Sequence, residues 1–206
     1  MNWLAHLYLS EPDPQFRIGN LLPDLASAAH LAGLPESFQK GIRCHREIDR
    51  FTDSHPRFRS CVSRFPKPYR RWGGVLTDIY FDYFLARDWS QYSPVALPRF
   101  IREVYRDIEL CVPELPVEAG RRLDLMRRAD WLNSYHTIAG ISEILRSLSR
   151  RLRKPFDLAA SVPIFEDHEA KFAEDFRFFF PALTEQIRRT CWNDAQPGSV
   201  DSNSAL

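Results

Sequence analysis

The sequence predicts an all-α fold, a single-domain helical bundle. Apolar residues recur at helical spacing through most of the 206 residues, alternating β-type segments are few, and there is no strand–helix–strand rhythm. Prolines such as Pro12, Pro14, Pro35, Pro66, Pro68, Pro94, Pro113 and Pro116 cluster between the periodic runs, where they suit helix boundaries. A hydrophobic content of 44% supports one sizeable core.

The elements follow in chain order. "MNWLAHLYLS" is apolar but short, lacks a basic leader and carries His6 at its centre, so it reads as part of the fold and not as a signal peptide. "GNLLPDL" places Asp24 after Pro23, where it can begin a helix. "GIRCHREIDRFTDSHP", residues 41–56, sets His45, Asp49 and Asp53 four residues apart, so all three share one side of a helix. "WGGVLTDIYFDYFLARDW" is apolar on nearly every side and predicts a buried helix bearing Asp78 and Asp82.

"LPRFIREVYRDIELCV" gathers Phe100, Ile101, Val104, Tyr105 and Ile108 on one face. "RRLDLMRRADWLNSYHTIAGISEILRSLSRRLRK" predicts two amphipathic helices joined near Tyr135 to Thr137. "IFEDHEAKFAEDFRFFFPALTEQIRRTCW" predicts another pair, with Pro181 as a break or kink. The domain is expected to span residues 1–192. "NDAQPGSVDSNSAL", residues 193–206, is small and polar and is expected to be a disordered tail.

Charge and cysteine usage narrow the function classes. Twenty-eight basic and 27 acidic residues give a net charge of +1, so the chain is not built to coat nucleic acid or an anionic membrane. Four scattered cysteines without a CxxC pair predict reduced thiols in a cytoplasmic protein, Cys44 being a small core filler. No apolar run approaches the roughly 18 residues of a membrane span. There is no GxxxxGK[ST] loop, no GxGxxG and no GxSxG elbow. The oligomeric state is left open.

What stands out is the set of acids and histidines embedded in apolar sequence. A charge buried without a partner costs several kcal/mol, so several such intrusions need a common explanation. His45 and Asp49 at i and i+4 lie about 5–6 Å apart at Cβ and can hold one cation from a single helix. Imidazole with carboxylate suits Mn, Fe, Zn or Ni, and helical bundles commonly build metal sites from facing helices. Each residue also has a plain structural reading. His6 can be a hydrogen-bonded core histidine, Asp24 a cap, Asp49 a surface partner of Arg46 or Arg50, Asp53 a turn cap, and Asp82 the polar edge of its helix. Asn20 is either a turn residue after Gly19 or a polar group aimed into the site.

"MNWLAHLYLS", "GNLLPDL", "GIRCHREIDRFTDSHP" and "LTDIYFDYFLARDWSQYSP", in this order, resemble the acyl carrier protein phosphodiesterases. "YHTIAGISEILRSLSRRLRK" and "FEDHEAKFAEDFRFFFPAL" resemble the family's second half more loosely. The resemblance implies hydrolysis of the phosphodiester that joins 4′-phosphopantetheine to holo-acyl carrier protein, leaving the apo-protein. It also implies an HD-domain-like, metal-dependent fold, with Mn²⁺ the expected ion and Mg²⁺ or Fe²⁺ as alternatives. HD proteins carry a contiguous His-Asp pair; here the nearest equivalent is His45-x-x-x-Asp49.

On this basis His45, Asp49 and Asp78 are expected to hold the ion, with Asp24 and His6 completing or bridging the site. Asp53 or Asp82 is expected to orient water or take its proton, and His55 is a candidate for protonating the leaving serine oxygen. Asn20, Arg46 and Arg50 are candidates for substrate binding. An acidic protein partner requires a local basic face, offered by Arg146, Arg150, Arg151, Arg153 and Lys154, or by Arg121, Arg122, Arg127 and Arg128. The alternatives are an HD-like hydrolase of a small nucleotide or phosphorylated metabolite, which needs no docking face, and a module that binds the carrier protein without cutting it.

Overall fold

A computed structural model describes residues 1–192, and among these there are helices and no strands. The α-helices are α1 (Trp3–Tyr8), α2 (Pro14–Gly19), α3 (Ala28–Leu31), α4 (Glu36–Ser54), α5 (Pro56–Arg64), α6 (Gly73–Arg87), α7 (Leu97–Cys111), α8 (Val117–Arg128), α9 (Ile138–Ser149), α10 (Val162–Glu166) and α11 (Glu169–Cys191). Short 3₁₀ turns link them, notably Leu22–Asp24 and Trp131–His136. Residues 193–206, expected as a tail, lie outside the described residues.

Local chemistry sets several helix starts. Asp13 accepts from Phe16 N at 2.7 Å and Pro14 follows it at the first helical position, which fixes the start of α2. Thr137 caps α9 in the same way. His55 ends α4 and caps α5, its Nδ1 accepting from Arg57 N at 3.3 Å. This occupies the imidazole in a turn, so His55 is not placed to protonate a leaving group in a site built around α4's other face.

Helix α6 runs through the centre. Leu76, Ile79, Tyr80, Phe81, Phe84 and Leu85 are all fully buried, as expected of a helix apolar on every side. Aromatics of α10 and α11 close on it: Tyr80 stacks on Phe165 with centroids 3.9 Å apart, and Phe176 and Phe179 meet Phe81. Each such burial contributes roughly 1.5–3 kcal/mol. Of the four phenylalanines in the "FRFFF" run only Phe178 is exposed.

Pro181 does not break α11, which continues from Glu169 to Cys191. Pro181 and Arg177, whose carbonyl loses its partner, both face solvent, where water can satisfy the freed acceptor. Phe176, Phe179, Phe180, Leu183 and Ile187 anchor the helix on both sides of it.

Two features position the site. The first is a backbone-level crossing of α2 on α4. A Cβ at Gly41 would fall 2.1 Å from Phe16 O and 2.8 Å from Asn20 N, and one at Gly19 would fall 2.4 Å from Phe38 O. Only glycine permits this approach. The second is Asp82. Its two carboxylate oxygens accept from Leu4 N at 2.8 Å and Ala5 N at 3.1 Å, so a fully buried acid on α6 caps α1.

Elsewhere, buried acids are neutralised by arginine. Asp175 on α11 takes Arg57 at 2.9 Å and Arg64 at 2.6 Å, and Arg17 on α2 pairs with Asp107 on α7.

Candidate metal centre

Helices α1, α2 and α4 bring His6, Asn20, His45 and Asp49 together. His6 Nε2 lies 3.3 Å from Asp49 Oδ1, and His45 Nε2 lies 3.1 Å from Asp49 Oδ2. The two imidazoles stack with centroids 4.3 Å apart, tilted by 19°. One ligand atom from each of His6, His45 and Asp49 can be chosen so that all lie within 4.8 Å of one another. His6 is fully buried and His45 nearly so, while the Asp49 side chain is 42% exposed and opens the cluster to the outside.

Asn20 orients both rings. Its Oδ1 lies 3.0 Å from His6 Nδ1, and its backbone oxygen lies 2.8 Å from His45 Nδ1. Both oxygens can accept a hydrogen from Nδ1, while His6 Nε2 lies 3.1 Å from a further acceptor, Met1 O. Asn20 Nδ2 donates to His6 O and Ser10 Oγ, both at 2.9 Å, which fixes the amide's orientation. Asn20 is fully buried. It therefore orients the two imidazoles and offers no exposed atom to an incoming substrate, contrary to the expectation for this residue.

The consequence is chemical. Each Nε2 faces the Asp49 carboxylate. A proton shared with an imidazole, or a metal ion in its place, would satisfy the carboxylate between the two rings. The site's electrostatics in the metal-free protein agree. Burial and hydrogen bonds from His45 and His6 oppose each other at Asp49, and the bonds win, holding its carboxyl far below the usual range. Burial works against a charged His45, but the Asp49 hydrogen bond and the Asp49 and Asp24 charges raise its pKa above the ordinary value. Burial dominates at His6 and lowers it.

The other predicted acids fall into two groups. Asp24 and Asp78 border the cluster. Asp24 Oδ1 is 3.8 Å from His45 Nε2, while its Oδ2 accepts from Trp3 Nε1 at 3.0 Å. Asp78 Oδ1 lies 3.1 Å from the Met1 nitrogen, which also lies 3.3 Å from Asp49 Oδ1. Burial pushes the Asp78 carboxyl up to about 6, against the pull of that nitrogen. A positive group thus already lies between Asp49 and Asp78. The donor set fits a divalent cation: two imidazoles, one bridging carboxylate and two more carboxylates within reach.

Asp53 and Asp82 part company. Asp53 is exposed one helical turn beyond Asp49 and faces the same opening. Asp82 does not take part, because both its oxygens cap α1 inside the core.

The cluster opens onto a groove of about 980 Å³ lined by α4, α6, α8 and α9. Asp49, Asp53 and Asp78 line one side; Arg121 and Arg122 of α8 and Arg150 and Arg151 after α9 line the other. The two basic stretches, alternatives in the sequence, thus face one groove. Arg151 lies over the Trp131 ring, 5.5 Å from its centroid. Arg146 is not among the lining residues and pairs with Glu143. Arg127 and Arg128 are held by Asp124.

Arg46 and Arg50, expected to bind substrate, line a different concavity with Lys40, Arg43, Cys44, Thr190 and Cys191. One residue along a helix turns the side chain by about 100°, so neighbours of His45 and Asp49 face away from them. Arg50 is paired with Glu47.

Sequence reasoning missed Met1, Trp3 and Gly41. The first two occupy the same apolar opening as His6, and a glycine in the middle of an amphipathic helix marks close backbone approach.

The family model described as "Acyl carrier protein phosphodiesterase" matches residues 1–183. Curated proteins of that name are similar over most of their length. The one from Photorhabdus laumondii is 31% identical over 187 residues, covering 90% of this chain and 94% of the relative. Those from Yersinia pestis and Serratia proteamaculans are each 30% identical, covering 91% of this chain and 98% of the relative. No solved structure matches.

Proposed function

This chain belongs to the acyl carrier protein phosphodiesterase family, and on that premise we propose that it hydrolyses holo-acyl carrier protein in the cytoplasm, releasing 4′-phosphopantetheine and the apo-protein in a metal-dependent reaction. The observation that carries the metal dependence is the convergence of His6 Nε2, His45 Nε2 and Asp49 on one point at the mouth of a groove. His6, His45 and Asp49 would hold the ion, Mn²⁺ in the first instance, with Asp24 and Asp78 completing its surroundings. A divalent cation supplies Lewis acidity there, offsetting phosphodiester charge and making water acidic enough to react near neutral pH.

The chain's own groups do the rest. Asn20 holds both rings by their Nδ1 atoms, which leaves each Nε2 toward Asp49. The exposed Asp53 carboxylate lines the same groove and would take a proton from the attacking water, then pass it to the carrier protein's serine oxygen as the bond from that oxygen to phosphorus breaks. Arg150 and Arg151 sit on the rim where an acidic protein would approach. No helix among the described residues is long and apolar enough to cross a membrane.

The test is direct. Metal-reconstituted protein is incubated with holo-acyl carrier protein, and mass spectrometry follows loss of the phosphopantetheine group. Loss is expected with Mn²⁺; no loss with any of Mn²⁺, Mg²⁺, Fe²⁺ or Zn²⁺ contradicts the proposal. Reversing charge at Arg150 and Arg151 should raise KM for the protein substrate and flatten its salt dependence.

A further inference from the structure

We infer that Arg122 is the groove's phosphate-binding residue and that Glu118 holds it in check until a phosphate group enters; the inference rests on the phosphodiesterase reading above. Four arginines line the groove, but their relation to the metal cluster differs. Arg122 NH1 approaches Asp24 O at 3.5 Å, and Asp24 Oδ1 in turn faces His45 Nε2 at 3.8 Å. Arg122 is therefore linked to His45 through the single residue Asp24. Arg150 and Arg151 line the same groove from the end of α9 onward.

The same guanidinium is already engaged by an acid. Arg122 Nε lies 3.3 Å from Glu118 Oε1, one turn earlier on α8, and Glu118 also takes Arg121 at 3.1 and 3.2 Å. The Arg122 side chain is 47% exposed and Glu118 56%, so an incoming anion reaches both. A guanidinium offers parallel donors that match two phosphate oxygens; Glu118 pairs in that two-point way with Arg121 and meets Arg122 through one oxygen, so Arg122 keeps donors free for an incoming anion. A phosphodiester held between the cluster and α8 would take the carboxylate's place on Arg122, leaving Glu118 to Arg121. Substrate entry thus exchanges one carboxylate for a phosphate on a preorganised donor, with no change in the helix.

Isothermal titration of the full, manganese-loaded chain with inorganic phosphate tests this. Arg122→Ala should weaken phosphate binding by roughly 10- to 100-fold, and Arg122→Lys should restore only part of it. Glu118→Gln should tighten binding by roughly two- to fivefold, since an exposed ion pair no longer competes. Arg99→Ala, on α7 and paired with Glu103, is the control and should match wild type. A merely structural role for Arg122 would not produce tightening at Glu118. Unchanged binding in Arg122→Ala, or weakened binding in Glu118→Gln, overturns the inference. A protein that shows the expected pattern yet leaves holo-carrier protein uncut keeps Arg122 as a phosphate ligand and removes the carrier-protein reading.

Discussion

Two clusters of buried polar groups lie in this bundle, and they are built on opposite plans. Around Asp175, a nearly buried carboxylate is answered by Arg57 and Arg64 and by the Cys61 thiol at 3.5 Å. Every charge has a permanent partner from a neighbouring helix, so the cluster ties α5 to α11. Around Asp49, two imidazoles and several carboxylates meet with no arginine among them, and the cluster is open on one side to a groove. Matched charge with no opening is architecture. Imidazoles and carboxylates gathered at an opening form a site that can take a partner from outside.

That contrast should show first in what breaks. His45→Ala or Asp49→Ala should lower turnover of holo-acyl carrier protein by about 1,000-fold or more, with helicity by circular dichroism unchanged. Asp175→Ala should do the reverse. Removing one partner of a buried pair typically costs about 3–5 kcal/mol, and because Arg57 can turn to solvent the expected loss is about 2–3 kcal/mol by urea unfolding. Activity per folded molecule should stay at the wild-type level. If Asp175→Ala silenced a fully folded enzyme, the division between the two clusters would fail.

The remaining effects are smaller and sharpen the comparison within the site. Asn20→Ala should reduce manganese affinity by roughly 10- to 100-fold, since both rings lose the oxygen or the backbone placement that fixes them. Metal affinity should also depend on pH in one direction. Metal-free His45 holds its proton above the ordinary histidine pKa because of Asp49 and Asp24. Binding displaces that proton, so apparent affinity should fall by about tenfold per pH unit below the raised pKa and level off above it. Arg46→Ala and Arg50→Ala, on the other side of α4, should change turnover by less than about twofold, in line with exposed charges elsewhere. A large loss there would move the substrate to the second concavity.

Some of this was legible in the sequence. The all-round apolar run of α6 announced a central helix, and the i, i+4 spacing of His45 and Asp49 announced a shared face, because both depend only on helical periodicity. The same periodicity turns Arg46 and Arg50, one position round the helix from His45 and Asp49, toward another face, although nearness in sequence had made them substrate-binding candidates. Other roles depended on contacts between distant segments. That Asp82 caps α1 requires knowing that α1 lands on α6. That Asn20 governs both histidines requires the close crossing of α2 and α4 at Gly19 and Gly41. That Arg121 and Arg151 share a groove requires the 3₁₀ turn at Trp131–His136, which packs against both α8 and α9. Pro181 misled because its penalty is small where the freed carbonyl faces water.

The most direct test of the central claim is a manganese titration of the chelator-stripped protein, followed by the electron paramagnetic resonance of free Mn²⁺. Wild-type protein should remove Mn²⁺ from solution at a site that His6→Ala, His45→Ala and Asp49→Ala each abolish, while Asp82→Asn and Asp175→Ala, if folded, retain it. Binding that survives loss of both histidines, or none in the wild type, would contradict the account.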